Sequence, residues 1–160
     1  MRSVSFNQGD IVTTLMKCEN GATLLLTHDS TLPRPYSRAG RVQGTGGVWM
    51  EDNRSVYIEG MSPNETWEEF YGFIERHGYE HPVWDEYVKS GVKEGHGGMD
   101  YLVLRAFIES AAEGTEPPIG AYDAAVMMSV TPLSEKSIAL GSQPVEVPDF
   151  TNGKYMKGVC

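Results

Sequence analysis

Strand-like runs occupy residues 10–59 of this chain and helical spacing begins only after residue 62, an order that rules out an alternating strand–helix–strand fold. Asp10–Cys18 and Ala22–Thr27 are rich in β-branched and aliphatic residues. Glu19-Asn20-Gly21 between them suits a hairpin turn, because Asn and Gly tolerate positive φ. Ser37–Gly44, Val48–Glu51 and Ser55–Glu59 read as three more strands, with the glycines at 44–47 marking a tight turn. Ser62–Thr66 then offers a helix start, and Trp67–His77 carries Trp67, Phe70, Tyr71 and Ile74 at helical spacing, a stripe read as core packing rather than a sugar-stacking platform. His81–Val88 is a short helix and 91–98 a loop. Met99–Glu113 is apolar nearly all round, so it is expected to be buried. Gly114 caps it, and Ala121–Ala139 forms a second long helix that Pro132 is expected to kink or break. Val145–Val147 is expected to return as an edge strand. Strands first and helices later imply an α+β fold: an open, mostly antiparallel sheet with helices on one face, whose other face is expected to pair with a second copy of the chain.

Length and charge narrow the function. A chain of 160 residues is read as a single domain, 1–160, long enough for a core, and 40% apolar residues with 10% aromatics fit a globular fold. The net charge of −9 and the scatter of the 13 basic residues argue against nucleic acid as a partner. No apolar run reaches the ~18 residues a membrane span needs. Cys18 and Cys160 are too few for a disulfide framework: Cys18 reads as a small core residue and Cys160 as part of a mobile end. His77 and His81 are separated by Gly78 and precede Pro82, so one metal-binding helical face is not expected, and no zinc-type cluster occurs. The first residues hold no signal-peptide core, and cytoplasmic and exported locations both stay open. A dinucleotide fold needs a glycine-rich turn running from a strand onto a helix. Gly44-Thr45-Gly46-Gly47 lies between strands, and Gly95-His96-Gly97-Gly98 has the wrong spacing. No dinucleotide-binding domain is therefore expected in this chain, nor a serine nucleophile elbow.

Two polar clusters border apolar elements, where binding groups usually sit. They are Arg34-Pro35-Tyr36-Ser37-Arg38 and Gly95-His96-Gly97-Gly98-Met99-Asp100. With Gly9-Asp10, Thr13-Thr14-Leu15, His28-Asp29, Gly44-Thr45 with Gly47, Tyr122–Ala125 and Pro144–Phe150, their order and spacing resemble the C-terminal domain of the Gfo/Idh/MocA oxidoreductases over nearly the whole chain. The branch it is most similar to is the NAD-dependent α-N-acetylgalactosaminidase-like glycosidases. The resemblance implies a two-domain parent in which an upstream domain holds NAD, while the C-terminal domain contributes to the sugar pocket and to homo-oligomerisation. In that branch bound NAD⁺ oxidises the sugar 3-hydroxyl, the C2 proton is lost, the aglycone is eliminated, water adds and the hydride returns. This differs from two-carboxylate hydrolysis, so no catalytic residue is expected here and no cofactor in this chain alone. A plain NAD(P)-dependent sugar dehydrogenase and a non-catalytic binding or assembly module are the competing readings.

The resemblance places a sugar contact at Tyr36, whose phenol both donates and accepts. Arg34 and Arg38 offer planar forks to a ligand or a cofactor phosphate, or else pair with surface carboxylates. His28 and Asp29 end a strand and either face the same pocket or cap it. His96 either faces the domain cleft or serves the start of the helix, where Asp100 is read mainly as a cap. Substrate-binding candidates are thus Tyr36, Arg34, His28, Asp29 and His96.

Overall fold

The computed structural model describes residues 9–91 and 95–154. Cys160 and part of the 91–98 loop lie outside them. The chain divides into two compact units, one comprising residues 1–33 and 102–160 and the other Arg34–Tyr101.

The first unit is built on a hairpin. Strands β1 (Ile11–Lys17) and β2 (Thr23–Asp29) pair antiparallel from Ile11 opposite Asp29 to Lys17 opposite Thr23. The expected turn forms: the Cys18 carbonyl accepts from the Gly21 amide at 3.0 Å, and Asn20 Oδ1 accepts from the Ala22 amide at 3.0 Å. Strand periodicity puts Val12, Thr14 and Met16 on one face with Leu24, Leu26 and His28. Helix α4 (Ala121–Ala139) meets this face, where the Thr14 and Ser134 hydroxyls hydrogen-bond at 2.8 Å. The opposite face carries Ile11, Leu15 and Leu25 and is exposed. Pro132 does not break α4, which runs through it. Residues 145–147 form no strand, and their stretch stays irregular up to a turn in which Asp149 accepts from the Thr151 amide at 2.8 Å and hydroxyl at 2.7 Å.

The second unit is a four-stranded antiparallel sheet in the order β3 (Arg41–Gly44), β4 (Gly47–Met50), β5 (Ser55–Ile58), β6 (Glu68–Glu69). The predicted α+β class with open antiparallel sheets holds, the strands being shared between two sheets. β3 begins at Arg41 rather than Ser37; in the segment before it Ser37 Oγ accepts the Ala39 amide at 2.8 Å, a local contact in place of strand pairing. The predicted Trp67–His77 helix begins only at Phe70, as α1 (Phe70–His77). Glu68 and Glu69 pair with Val56 and Ser55, and Glu69 then caps the helix by accepting the Gly72 amide at 2.7 Å. Gly78 ends α1 in the left-handed conformation, as expected. Val42, Trp49, Val56 and Glu68 share one sheet face by register, and α1 reaches it through Phe70, 5.7 Å from the Trp49 ring.

The stripe read as core is packed only in part, with Phe70 and Ile74 half-buried. Trp67 and Tyr71 are exposed and Phe73 is the buried residue of α1. Helix α2 (Pro82–Lys89) buries Tyr87, which stacks on Tyr101 at 5.8 Å. Among the described residues the buried apolar side chains are Val56, Phe73 and Tyr87, all in this second unit. Helix α3 (Met99–Glu113), expected to be buried, contains no buried residue, and neither does α4.

Candidate functional site

The second unit holds an open concavity of about 770 Å³ lined by Arg34–Arg38, by Trp49, Glu51, Asp52 and Arg54, and by Phe70 and Tyr71. Three parts of the fold converge there. The segment before β3 contributes Tyr36, the β4–β5 turn contributes the charges at 51–54, and the first turn of α1 contributes aromatic rings. Pro35 fixes its own φ and biases Arg34 towards extended geometry, so the segment is stiff before any ligand arrives. Arg34 Nη1 donates to the Ser37 carbonyl at 2.8 Å, and Ser37 Oγ donates to Asp52 Oδ1. Glu51 Oε2 accepts the Gly40 amide at 2.9 Å. The two carboxylates therefore tie the Tyr36 segment to the sheet.

Tyr36 itself is 86% exposed. Its phenol oxygen accepts from Arg38 Nε at 3.3 Å, and this contact raises the Arg38 pKa above its ordinary value. The phenol proton stays available for a ligand acceptor. Phe70 and Tyr71 meet edge to face at 5.4 Å, so an aromatic wall stands beside hydrogen-bonding groups. Such a surface suits a ligand with apolar faces and polar edges, as a pyranose has.

The remaining candidates are placed elsewhere. His28 lines a different cavity, of about 440 Å³, within the first unit, together with Thr14, Leu26, Ser134 and Glu135. Asp29 ends β2 and accepts the Leu32 amide at 3.3 Å, a local turn contact. His96 is not among the residues lining the Tyr36 concavity. It opens a tight turn in which His96, Gly97 and Gly98 all have positive φ, and its Nδ1 lies 2.7 Å from Asp100 Oδ2. That hydrogen bond, with the attraction of the carboxylate, raises the His96 pKa. Asp100 lies in the first turn of α3 and pairs with His96. Trp49, Glu51, Asp52 and Arg54 were not anticipated as site residues, and Phe70 and Tyr71, read as core packing rather than a sugar-stacking platform, line the concavity.

The described residues do not fit a dinucleotide. Every described strand pair is antiparallel, so no strand–helix–parallel-strand unit exists among them. The glycine turn before α3 is occupied as well, with Gly98 packed beneath Tyr87 and Asp100 in the first helical turn, where it would repel a phosphate. No group of three or more His, Cys, Asp or Glu that could hold a metal ion occurs among the described residues. No described helix is long and apolar enough to cross a membrane.

Comparison with known proteins brings these features under one family. A glycosyl hydrolase family 109 protein of Stenotrophomonas maltophilia (strain K279a) is 51% identical over 152 residues, which is 95% of this chain and 33% of that protein. An alpha-N-acetylgalactosaminidase of Tannerella forsythia is 42% identical over 153 residues, 96% of this chain and 32% of that protein. A glycosyl hydrolase family 109 protein of Parabacteroides distasonis is 41% identical over 156 residues, 98% of this chain and 33% of that protein. The chain therefore spans about a third of the length of the curated relatives it matches. The family described as "Glycosyl hydrolase 109, C-terminal domain" matches residues 1–157, and the chain belongs to it.

Proposed function

We propose that this chain is the sugar-facing C-terminal domain of an NAD-dependent glycosidase acting on N-acetylgalactosaminides, and that the Tyr36 concavity forms part of its sugar pocket. The observation that carries the reading is the convergence of the rigid Arg34–Arg38 segment with the aromatic wall of Phe70 and Tyr71 in a domain of a glycosidase family. Tyr36 donates to a sugar oxygen, Arg38 orients the phenol, and Arg34 braces the segment. NAD supplies redox chemistry when bound, and its site belongs to the upstream region. Assembly of the full-length protein uses the bare face of the β1–β2 hairpin, where Leu15 and Leu25 sit directly opposite each other. A dimer there buries apolar surface that a lone chain leaves in water.

The test is Tyr36→Phe in the full-length protein. Loss of one hydrogen bond to a neutral ligand costs about 0.5–1.5 kcal/mol, a fall of about threefold to tenfold in kcat/KM. The melting temperature stays unchanged, because so exposed a phenol contributes little to packing. An unaltered kcat/KM removes Tyr36 from the sugar pocket.

A further inference from the structure

The four-stranded sheet of the second unit has a second face. Register puts Val48 beside Tyr57 on the side away from Trp49 and Val56. The connection from β5 to β6 is held by its own turns. The Ser62 amide donates to the Ile58 carbonyl at 2.9 Å, and Ser62 Oγ accepts the Ile58 amide at 3.0 Å. The Thr66 amide donates to the Pro63 carbonyl at 3.1 Å. These turns set residues 65–67 against the sheet, and an open hollow of about 310 Å³ is lined by Val48, Tyr57, Glu65, Thr66 and Trp67. It shares no lining residue with the Tyr36 concavity.

Aromatic rings and carboxylates set the character of this hollow. Trp67 is 49% exposed. Tyr57 Oη donates to Glu59 Oε2 at 2.8 Å, so its proton is committed and its oxygen is left to accept. That hydrogen bond, with desolvation and the charges of Glu59 and Glu65, raises the Tyr57 pKa, so both carboxylates lie near the phenol. Thr66 Oγ1 donates to the Asn64 carbonyl at 3.0 Å and is likewise left as an acceptor. Glu65 holds a positive φ of 53°, a conformation costly for its residue type. Among the described residues no Lys, Arg or His lines the hollow, and Arg41, which register puts on this face of β3, donates to Gln43 Oε1 instead. The side-chain donor of the lining is the indole N–H of Trp67.

A lining of acceptors with negative charge favours a ligand that donates and is cationic. An ammonium group does both, and the faces of Trp and Tyr rings attract it further. The volume is at the small end for small-molecule sites and suits about one ring. We infer that this hollow binds a hexosamine with a free, protonated amino group. Glu65 and Glu59 take the ammonium, Tyr57 and Trp67 meet the apolar face of the ring, and the indole N–H reaches a hydroxyl oxygen. The inference is independent of the Tyr36 assignment, since the two sites use different residues.

The experiment titrates galactosamine into the 160-residue chain at about pH 6, where the amine is charged. N-acetylgalactosamine serves as the neutral ring of the same shape. The indole N–H signals are followed by NMR, and Trp67→Phe identifies that of Trp67. Galactosamine is expected to move the Trp67 signal saturably, with a Kd on the order of 1 mM, and N-acetylgalactosamine to leave it in place. Glu65→Gln keeps the shape and removes the charge, and is expected to weaken binding at least about threefold. The Trp49 and Trp84 signals report that the variant is folded, and the comparison of the two sugars needs no variant. An unmoved Trp67 signal, an equal response to both sugars or an unchanged affinity of Glu65→Gln overturns the inference. So does a Trp67 shift that follows chain concentration without ligand, which assigns the face to contact between copies.

Discussion

His96 holds backbone that few residues other than glycine adopt, with φ of 51°, and two left-handed glycines follow it. The turn aims its ring at Asp100, and the hydrogen bond between them favours the imidazolium. A histidine whose folded pKa is raised contributes stability that is fully present below its unfolded pKa, near 6.5, and is lost as pH rises through the folded value. A proton NMR titration of His96 is therefore expected to show a midpoint above that of an ordinary histidine, moving down to the ordinary range in Asp100→Asn. An ordinary midpoint in the unsubstituted chain contradicts the pairing. This local pairing was half legible: Gly95–Asp100 stood out as a polar cluster, but sequence spacing did not distinguish a histidine facing a cleft from one facing the carboxylate four residues on. The Arg34–Arg38 segment stood out because proline stiffens it. Glu51, Asp52 and Arg54 did not, because only the β4–β5 register and the turn that follows carry them to Tyr36.

The elements show where local signals suffice and where pairing overrides them. The β1–β2 hairpin follows from Asn20-Gly21, and the end of α1 from Gly78, both local conformational preferences. The start of α1 shifts because β5 offers unsatisfied backbone groups that Glu68 and Glu69 fill, and no helical periodicity reports that competition. The turn before α3 has a tertiary constraint as well. A Cβ on Gly98 would stand 2.2 Å from the Tyr87 phenol oxygen and 2.3 Å from its ring, on backbone with φ of +95°. Gly98→Ala must displace a side chain that is only 3% exposed and stacked on Tyr101. It is expected to destabilise the second unit by about 2–3 kcal/mol. Gly114→Ala meets strained backbone but nothing within 4 Å, so a smaller loss, about 1 kcal/mol, is expected. Urea unfolding followed by fluorescence of Trp84, 5.6 Å from Tyr87, measures the first; an unchanged midpoint for Gly98→Ala contradicts the packing described.

At the scale of the molecule, the apolar character of α3 was legible and its burial was not. A helix apolar on most sides must be covered, but periodicity does not say whether the cover lies in the same chain. None of the residues of α3 is buried. Family membership was legible because short words such as Arg34–Arg38 and Gly95–Asp100 keep their order along the whole sequence, and residues 1–157 match the family. The central claim is that this domain serves a glycosidase that uses NAD without consuming it. The direct measurement follows p-nitrophenol release from p-nitrophenyl N-acetyl-α-galactosaminide by a full-length protein containing this domain, with absorbance of reduced cofactor recorded in the same cuvette. The account predicts many turnovers per NAD⁺ with no net NADH. One NADH formed per sugar consumed, or no aglycone release with active cofactor-loaded protein, contradicts it.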